Sequence, residues 1–236
     1  MPGARLGPPM TRAVVLLSGG LDSTVACAMA KAAGHEVHAV SFDYGQRHRR
    51  ELESAKAVAK ALGARSHSVL KVPVGDYGGS ALTDHGIAVP TGRSEKDMGA
   101  DIPVTYVPAR NIVFLSLALG VAEVKDAEAI YIGANALDYS GYPDCRPEFF
   151  AAFEEMARRG TKRGVEGRPV RIEVPLQSMT KADIVREGLR LKAPLDLTWS
   201  CYQGGEVACG VCDSCVLRLK GFREAGAADP VPYARR

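Results

Sequence analysis

Along the chain, short unbroken apolar runs alternate with longer stretches in which apolar residues return every three or four positions. Residues 13–17 (AVVLL) have strand length and no polar break, as expected of a strand covered on both faces. Residues 22–33 then read as helix, closed by Gly34. Residues 36–44 (EVHAVSFDY) predict a second strand, and 49–62 an amphipathic helix with Leu52, Ala55, Val58 and Leu62 on one face and Gly63 as its stop. A third strand is expected over 66–72. The following 75–108 is rich in Gly, Pro, Asp and Thr and reads as a long irregular loop of the kind that is functional or mobile. An apolar helix over 112–124 is expected behind Asn111 as its cap. Further strands fall at 129–135 and 170–176, and helices at 146–159, at 181–192 behind Thr180, and at 214–224.

Strand and helix alternating so regularly predict an α/β fold, an open five-stranded parallel sheet with helices on both faces. The expected organisation is a flexible leader (1–11), a core (12–195), a small C-terminal metal-binding appendage with the terminal helix (196–225), and a tail (226–236).

Composition narrows the function classes. The chain of 236 residues suits one generous domain, and 46% hydrophobic with 24% charged residues is ordinary for a globular protein. A net charge of +3 suits small anionic molecules but falls short of the excess expected of a nucleic-acid binder. The longest apolar stretch, 112–124, is too short to span a bilayer and carries Glu123, so it is read as a buried helix and no membrane partner is expected. The N-terminal MPGARLGPPMTR lacks the apolar core of a signal peptide. A cytoplasmic location is expected, where six cysteines meet reducing conditions and clustered thiols favour metal over disulfides. A homodimer stays open.

The first strand runs into SGGLDS, residues 18–23, at the carboxyl end where ligands gather in an open parallel sheet. Two glycines let the backbone approach a ligand closely, and the following helix N terminus offers free N–H groups and partial positive charge to a phosphate. Ser18, Ser23 and Thr24 add hydroxyls, and Asp22 could orient Mg2+. Neither G-x-x-x-x-G-K-[ST] nor G-x-G-x-x-G fits the spacing. The plainer alternative is a strand-to-helix turn with Asp22 and Ser23 as caps. Polar groups also cluster in FDYGQRH (Gln46, Arg47, His48), in VPARN (Arg110), and in GANALDYSGYPDCRPEFF (Asn135, Asp138, Tyr139, Tyr142, Asp144, Arg146). The last offers carboxylates for an amino-heterocycle and tyrosine faces for a flat ring. A solvated loop is the bland alternative for each.

SGGLDS resembles the SGG-x-DS signature of the PP-loop ATP pyrophosphatases. That resemblance implies a five-stranded parallel core and a pyrophosphate site lined by Ser18, Gly19, Gly20, Leu21, Asp22 and Ser23, with Thr24 adjacent. Lys181, at the start of the helix after the fifth strand, matches a phosphate-binding lysine of that superfamily, and Arg110 is a second candidate cation. Together with FDYGQRH, TYVPARN, DYSGYPDCRPEFF and the cysteine pattern, the chain from 12 to about 223 resembles the 7-cyano-7-deazaguanine synthases of queuosine biosynthesis. The resemblance implies a ligase that joins 7-carboxy-7-deazaguanine and ammonia at the expense of ATP. An acyl adenylate would give an amide, and an adenylated amide would give the nitrile, releasing AMP and pyrophosphate. Rival readings are a tRNA-modifying thiolase or lysidine-type ligase, disfavoured by the small basic excess, and a nucleotide-binding module without catalysis.

Cys201, Cys209, Cys212 and Cys215 fall in CYQGGEVACGVCDSC. Two overlapping C-x-x-C units, an upstream fourth thiol and no added histidine suggest a closed structural zinc site. An iron–sulfur cluster and a redox pair are the alternatives, and the resemblance favours zinc. Cys27 reads as core, and Cys145 lies in the substrate-loop candidate.

Overall fold

In the first strand, alternate side chains serve two different cores, as the two-residue period of a strand requires. β1 (Arg12–Leu16) directs Val14 and Leu16 to one face and Ala13 and Val15 to the other, all of them buried. The computed structural model describes residues 10–94, 98, 102–135 and 142–234.

Five parallel strands form one sheet in the order β3-β2-β1-β4-β5, with β2 at Glu36–Asp43, β3 at Ser66–Lys71, β4 at Ala129–Ile132 and β5 at Arg171–Glu173. α1 (Leu21–Ala32) and α2 (Arg50–Ala61) cover one face through Cys27, Ala30, Ala55 and Val58. α3 (Arg110–Lys125) and α4 (Pro147–Gly160) cover the other through Phe114, Leu115, Leu119, Phe150 and Phe153. The one-turn α5 (Lys162–Val165) precedes β5. α6 (Lys181–Arg190) and α7 (Asp213–Glu224) pack outside α1, where Ile184, Val185 and Phe222 meet Leu21 and Val25. The expected architecture is therefore the observed one, and Phe222 of the C-terminal segment shares a core with Leu21 and Val25 of α1.

Several boundaries differ for physical reasons. β4 stops at Ile132 because Gly133 presses on the start of α1, where a Cβ would stand 2.8 Å from backbone atoms of Asp22 and Ser23. β5 stops before Pro175, which has no N–H for a ladder. α3 begins one residue before its expected cap. Ala109, in the left-handed region at φ 56°, precedes it, and Asn111 lies inside the first turn. The cap is tertiary: the Asn111 N–H donates to Asp144 Oδ2 at 3.1 Å, and Asn111 Nδ2 donates to the Asp144 carbonyl at 3.0 Å. α3 is also buried on one face only, since Ile112, Leu117 and Val124 are exposed. Among the described residues, no helix is long and apolar enough to cross a membrane.

From β1 the chain winds outward through β2 and β3, then returns to β4 on the other side. The reversal leaves a crevice between the carboxyl ends of β1 and β4, the place where open α/β sheets take their ligands.

Candidate active site

The SGGLDS turn sits at that crevice and is held closed by its own hydroxyls. Ser23 Oγ lies 2.9 Å from Ser18 Oγ, accepts the Ser18 N–H at 3.2 Å and donates to the Gly20 carbonyl at 3.1 Å. Gly20 precedes α1 as its cap residue, so the amides of the first turn face the crevice lined by Ser18, Gly20, Leu21, Asp22 and Ser23. Gly19 has a packing role behind them. Its φ is +88°, and a Cβ there would stand 2.3 Å from the Glu51 carbonyl oxygen and 2.5 Å from the Ala55 nitrogen. Thr24 is fully buried, and its hydroxyl has no hydrogen-bond partner among the described residues.

Lys181, buried at the start of α6, brings its ammonium to the same turn and donates to both Asp22 oxygens at 2.9 and 2.8 Å. α6 is fixed by a capping box in which Thr180 and Asp183 satisfy each other's backbone N–H groups. Its stem lies against Gly221 of α7, where a Cβ would stand 2.5 Å from Lys181 Cγ.

The turn opens into a cavity of about 280 Å³ that also receives Arg110, Gln46, Asn135 and Tyr142. Phe42 stacks on Phe114 with centroids 4.0 Å apart, and Tyr44 meets Phe114 edge-on at 5.4 Å. These three rings line the cavity and give it an apolar floor suited to a flat heterocycle. Gln46 Oε1 accepts the Tyr44 N–H at 2.9 Å and Nε2 donates to the Phe42 carbonyl at 3.2 Å. Asn135 Nδ2 donates to the Met179 carbonyl at 2.6 Å, and Tyr142 shares a 2.8 Å hydrogen bond with Thr105.

Other candidates are engaged elsewhere. Arg47 turns to the carbonyls of Ala81 at 2.6 Å, Asp84 at 2.8 Å and Ile87, holding the long loop rather than lining the cavity. Asp144 caps α3, and burial raises its carboxyl above the usual range. Arg146 is exposed at the start of α4. His48 borders a smaller recess with Tyr202, and burial lowers its imidazole. Asp138 and Tyr139 lie outside the described residues.

Sequence reasoning missed the floor, although FDYGQRH and the apolar helix carried its rings, and it missed Glu51. Glu51 lines the cavity from the first turn of α2, and its carboxyl is pushed up to about 7 by burial, against the pull of Arg110. No spacing distinguishes it from Glu53 two positions on. Cys145 also reaches the cavity, its thiol pushed up to about 11 by burial with Asp144 adding to the effect.

The sulfurs of Cys201, Cys209, Cys212 and Cys215 all lie within 4.8 Å of one another. Tetrahedral thiolates about 2.3 Å from a zinc ion are about 3.8 Å apart, so the donor set fits such an ion. Backbone N–H groups of Cys209, Val211 and Cys212 donate to Cys201 and Cys209 sulfurs at 3.3–3.4 Å, as in a metal knuckle. The cluster supports the cavity wall. Trp199 donates from Nε1 to the Cys201 carbonyl at 3.2 Å and from its backbone N–H to the Gly19 carbonyl at 2.8 Å. Thr91 bridges to Cys212 and Arg93 pairs with Asp213, so the long loop docks here as well.

The family model described as Queuosine biosynthesis protein QueC matches residues 12–226. The chain is 60% identical to a 7-cyano-7-deazaguanine synthase of Acetivibrio thermocellus over 227 residues, covering 96% of this chain and 100% of the relative. It is 60% identical to another from Anaeromyxobacter dehalogenans over 226 residues, covering 95% and 96%. Among solved structures it is similar in fold to a 4-thiouridine synthetase–RNA complex with bound ATP, at TM-score 0.51 and 19% identity, over 94% of this chain and 47% of that one.

Proposed function

The chain belongs to the QueC family of queuosine biosynthesis proteins, and on that premise we propose that it is the ATP-dependent ligase that converts 7-carboxy-7-deazaguanine and ammonia to 7-cyano-7-deazaguanine. One observation carries the reading: a single cavity joins a helix-start turn suited to phosphate with an aromatic floor suited to a purine-like ring.

A carboxylate is a poor electrophile, so its oxygen attacks the α-phosphorus of ATP and expels pyrophosphate. Ammonia then displaces AMP to give the amide. Activation of the amide oxygen by a second ATP lets the nitrile form with loss of AMP. The protein's contribution is positioning and charge stabilisation. Amides of the Ser18–Ser23 turn and Lys181 receive the pyrophosphate, and Arg110 stands over the ring end of the cavity beside Tyr44 and Tyr142. Asp22 is the residue suited to hold Mg2+, which would neutralise phosphate charge when bound. The four cysteines would hold a structural zinc ion that fixes Trp199 and the adjoining wall. A small-molecule acceptor, not RNA, fits a cavity of about 280 Å³ and the small net charge of +3. The exposed apolar residues of α3 favour a homodimer, and the reaction class favours the cytoplasm.

The test is a mass-resolved assay with Mg-ATP, ammonium and 7-carboxy-7-deazaguanine. Nitrile appearing with AMP and pyrophosphate is the expected result. AMP without nitrile would redirect the search to another acceptor, and no ATP cleavage would favour a binding module.

A further inference from the structure

Ammonia attacking an acyl adenylate becomes a positively charged nitrogen, which must lose a proton before AMP can depart cleanly. The cavity therefore needs a proton acceptor near the acyl carbon. Among the described residues, two carboxylates line it, Asp22 and Glu51. Asp22 sits in the phosphate turn, paired with the Lys181 ammonium through both of its oxygens, where the proposed function gives it to phosphate and Mg2+.

Glu51 differs in each respect that matters. Among the described residues its carboxylate makes no hydrogen bond or ion pair. The Glu51 carbonyl rests against Gly19, and the neighbouring Arg50 guanidinium lies 4.8 Å over the Trp199 ring, itself hydrogen-bonded to Gly19. The first turn of α2 is thus locked to the phosphate turn, which fixes the carboxylate relative to the reacting centre. Arg110 from α3, Tyr44 from the end of β2, and Cys201 are the charged or titratable groups that act on it. Of the other oxygen and sulfur acids on the cavity wall, Tyr44, Tyr142 and Cys145 are raised by burial and stay protonated at neutral pH.

On the premise of the synthase reaction above, we propose that the Glu51 carboxylate takes the proton shed by ammonia as it attacks the acyl adenylate. The nitrogen lone pair forms the C–N bond while the carbonyl π pair moves to oxygen. One N–H proton passes to Glu51. The oxygen pair then re-forms C=O as the C–O bond to AMP breaks with its electrons, leaving the amide, AMP and a protonated Glu51 that returns its proton to solvent.

The test is Glu51→Gln, assayed two ways. Exchange of labelled pyrophosphate into ATP, dependent on 7-carboxy-7-deazaguanine, reports adenylation without ammonia. Amide and nitrile formation reports the later steps. The expected result is exchange retained within a few-fold and amide formation slowed on the order of 100-fold or more, with Glu51→Asp recovering part of the rate. Unchanged amide formation would overturn the proposal. So would parallel loss of exchange and amide formation, which would make Glu51 a support for the whole site. Absence of exchange in the unmodified protein would instead count against the synthase reading, and the proposal would fall with it.

Discussion

Lys181 Nζ and the carboxylate of Asp22, 159 positions apart in the chain, meet through two hydrogen bonds at 2.9 and 2.8 Å. The lysine stands at the start of a helix, where the helix dipole opposes a positive charge, yet it is buried there. The carboxylate offsets that cost and holds the cation at the phosphate turn. Asp22→Asn should therefore reduce AMP formation on the order of 100-fold while costing about 1–3 kcal/mol of stability, the scale of losing a hydrogen bond between charged groups. Steady-state AMP release and a thermal melt check both parts. Full turnover in the folded variant would remove Asp22 from the reaction.

Gly221 controls the same lysine from a distance. Its missing side chain is the space through which the Lys181 stem passes, and an added methyl would meet Cγ at 2.5 Å and Cβ at 3.0 Å. These atoms lie close to the backbone and cannot swing aside cheaply. Gly221→Ala should raise the KM for ATP and lower Tm, although residue 221 does not line the cavity. An unaltered KM would mean that Lys181 reaches the phosphate by another path.

The centre of the sheet was legible because β1 and β4 are nearly continuous in apolar residues, and the β1–β4 crevice follows from strand order alone. SGGLDS was legible because its glycines and hydroxyls are consecutive. What depended on distant partners was not. Asn111 looked like a cap, but the capping carboxylate comes from Asp144, 33 positions away. Arg47 looked available to a ligand, but three loop carbonyls take its donors. Glu51 is one acid on an amphipathic helix, and only the approach of α2 to Gly19 brings it to the cavity. Local pattern reveals elements and contiguous turns, whereas the hydrogen-bond destination of a lone polar side chain is decided by packing.

The cysteine cluster should couple metal content to the cavity. Its thiols are buried or half-buried and all four sulfurs lie within 4.8 Å of one another, so four thiolates require a cation to coexist. Cys212→Ser should lose bound metal, lower Tm and loosen Trp199, seen as a red-shifted indole emission from the protein's one tryptophan. Elemental analysis with full zinc occupancy in the variant would refute a four-cysteine site.

The segment beyond residue 226, where the family match ends, is joined to the cavity wall by a buried ion pair. Arg218 and Asp229 are 3% and 4% exposed at their side chains and meet at 2.7 and 2.9 Å. Arg218 also donates to Thr198 and Ser200 at 2.7 and 3.3 Å, which orders the strip carrying Trp199. Tyr233 closes the arrangement by donating to Asp229 at 2.6 Å. Replacing one partner leaves the other charge buried, a loss of about 3–5 kcal/mol. Asp229→Asn should accordingly lower Tm by roughly 6–20 °C, at about 2–4 °C per kcal/mol for a chain of this size. Truncation after Gly226 should do the same by removing the identical carboxylate. A melt within a degree of the unmodified protein in both variants would show that Arg218 finds its counter-charge elsewhere.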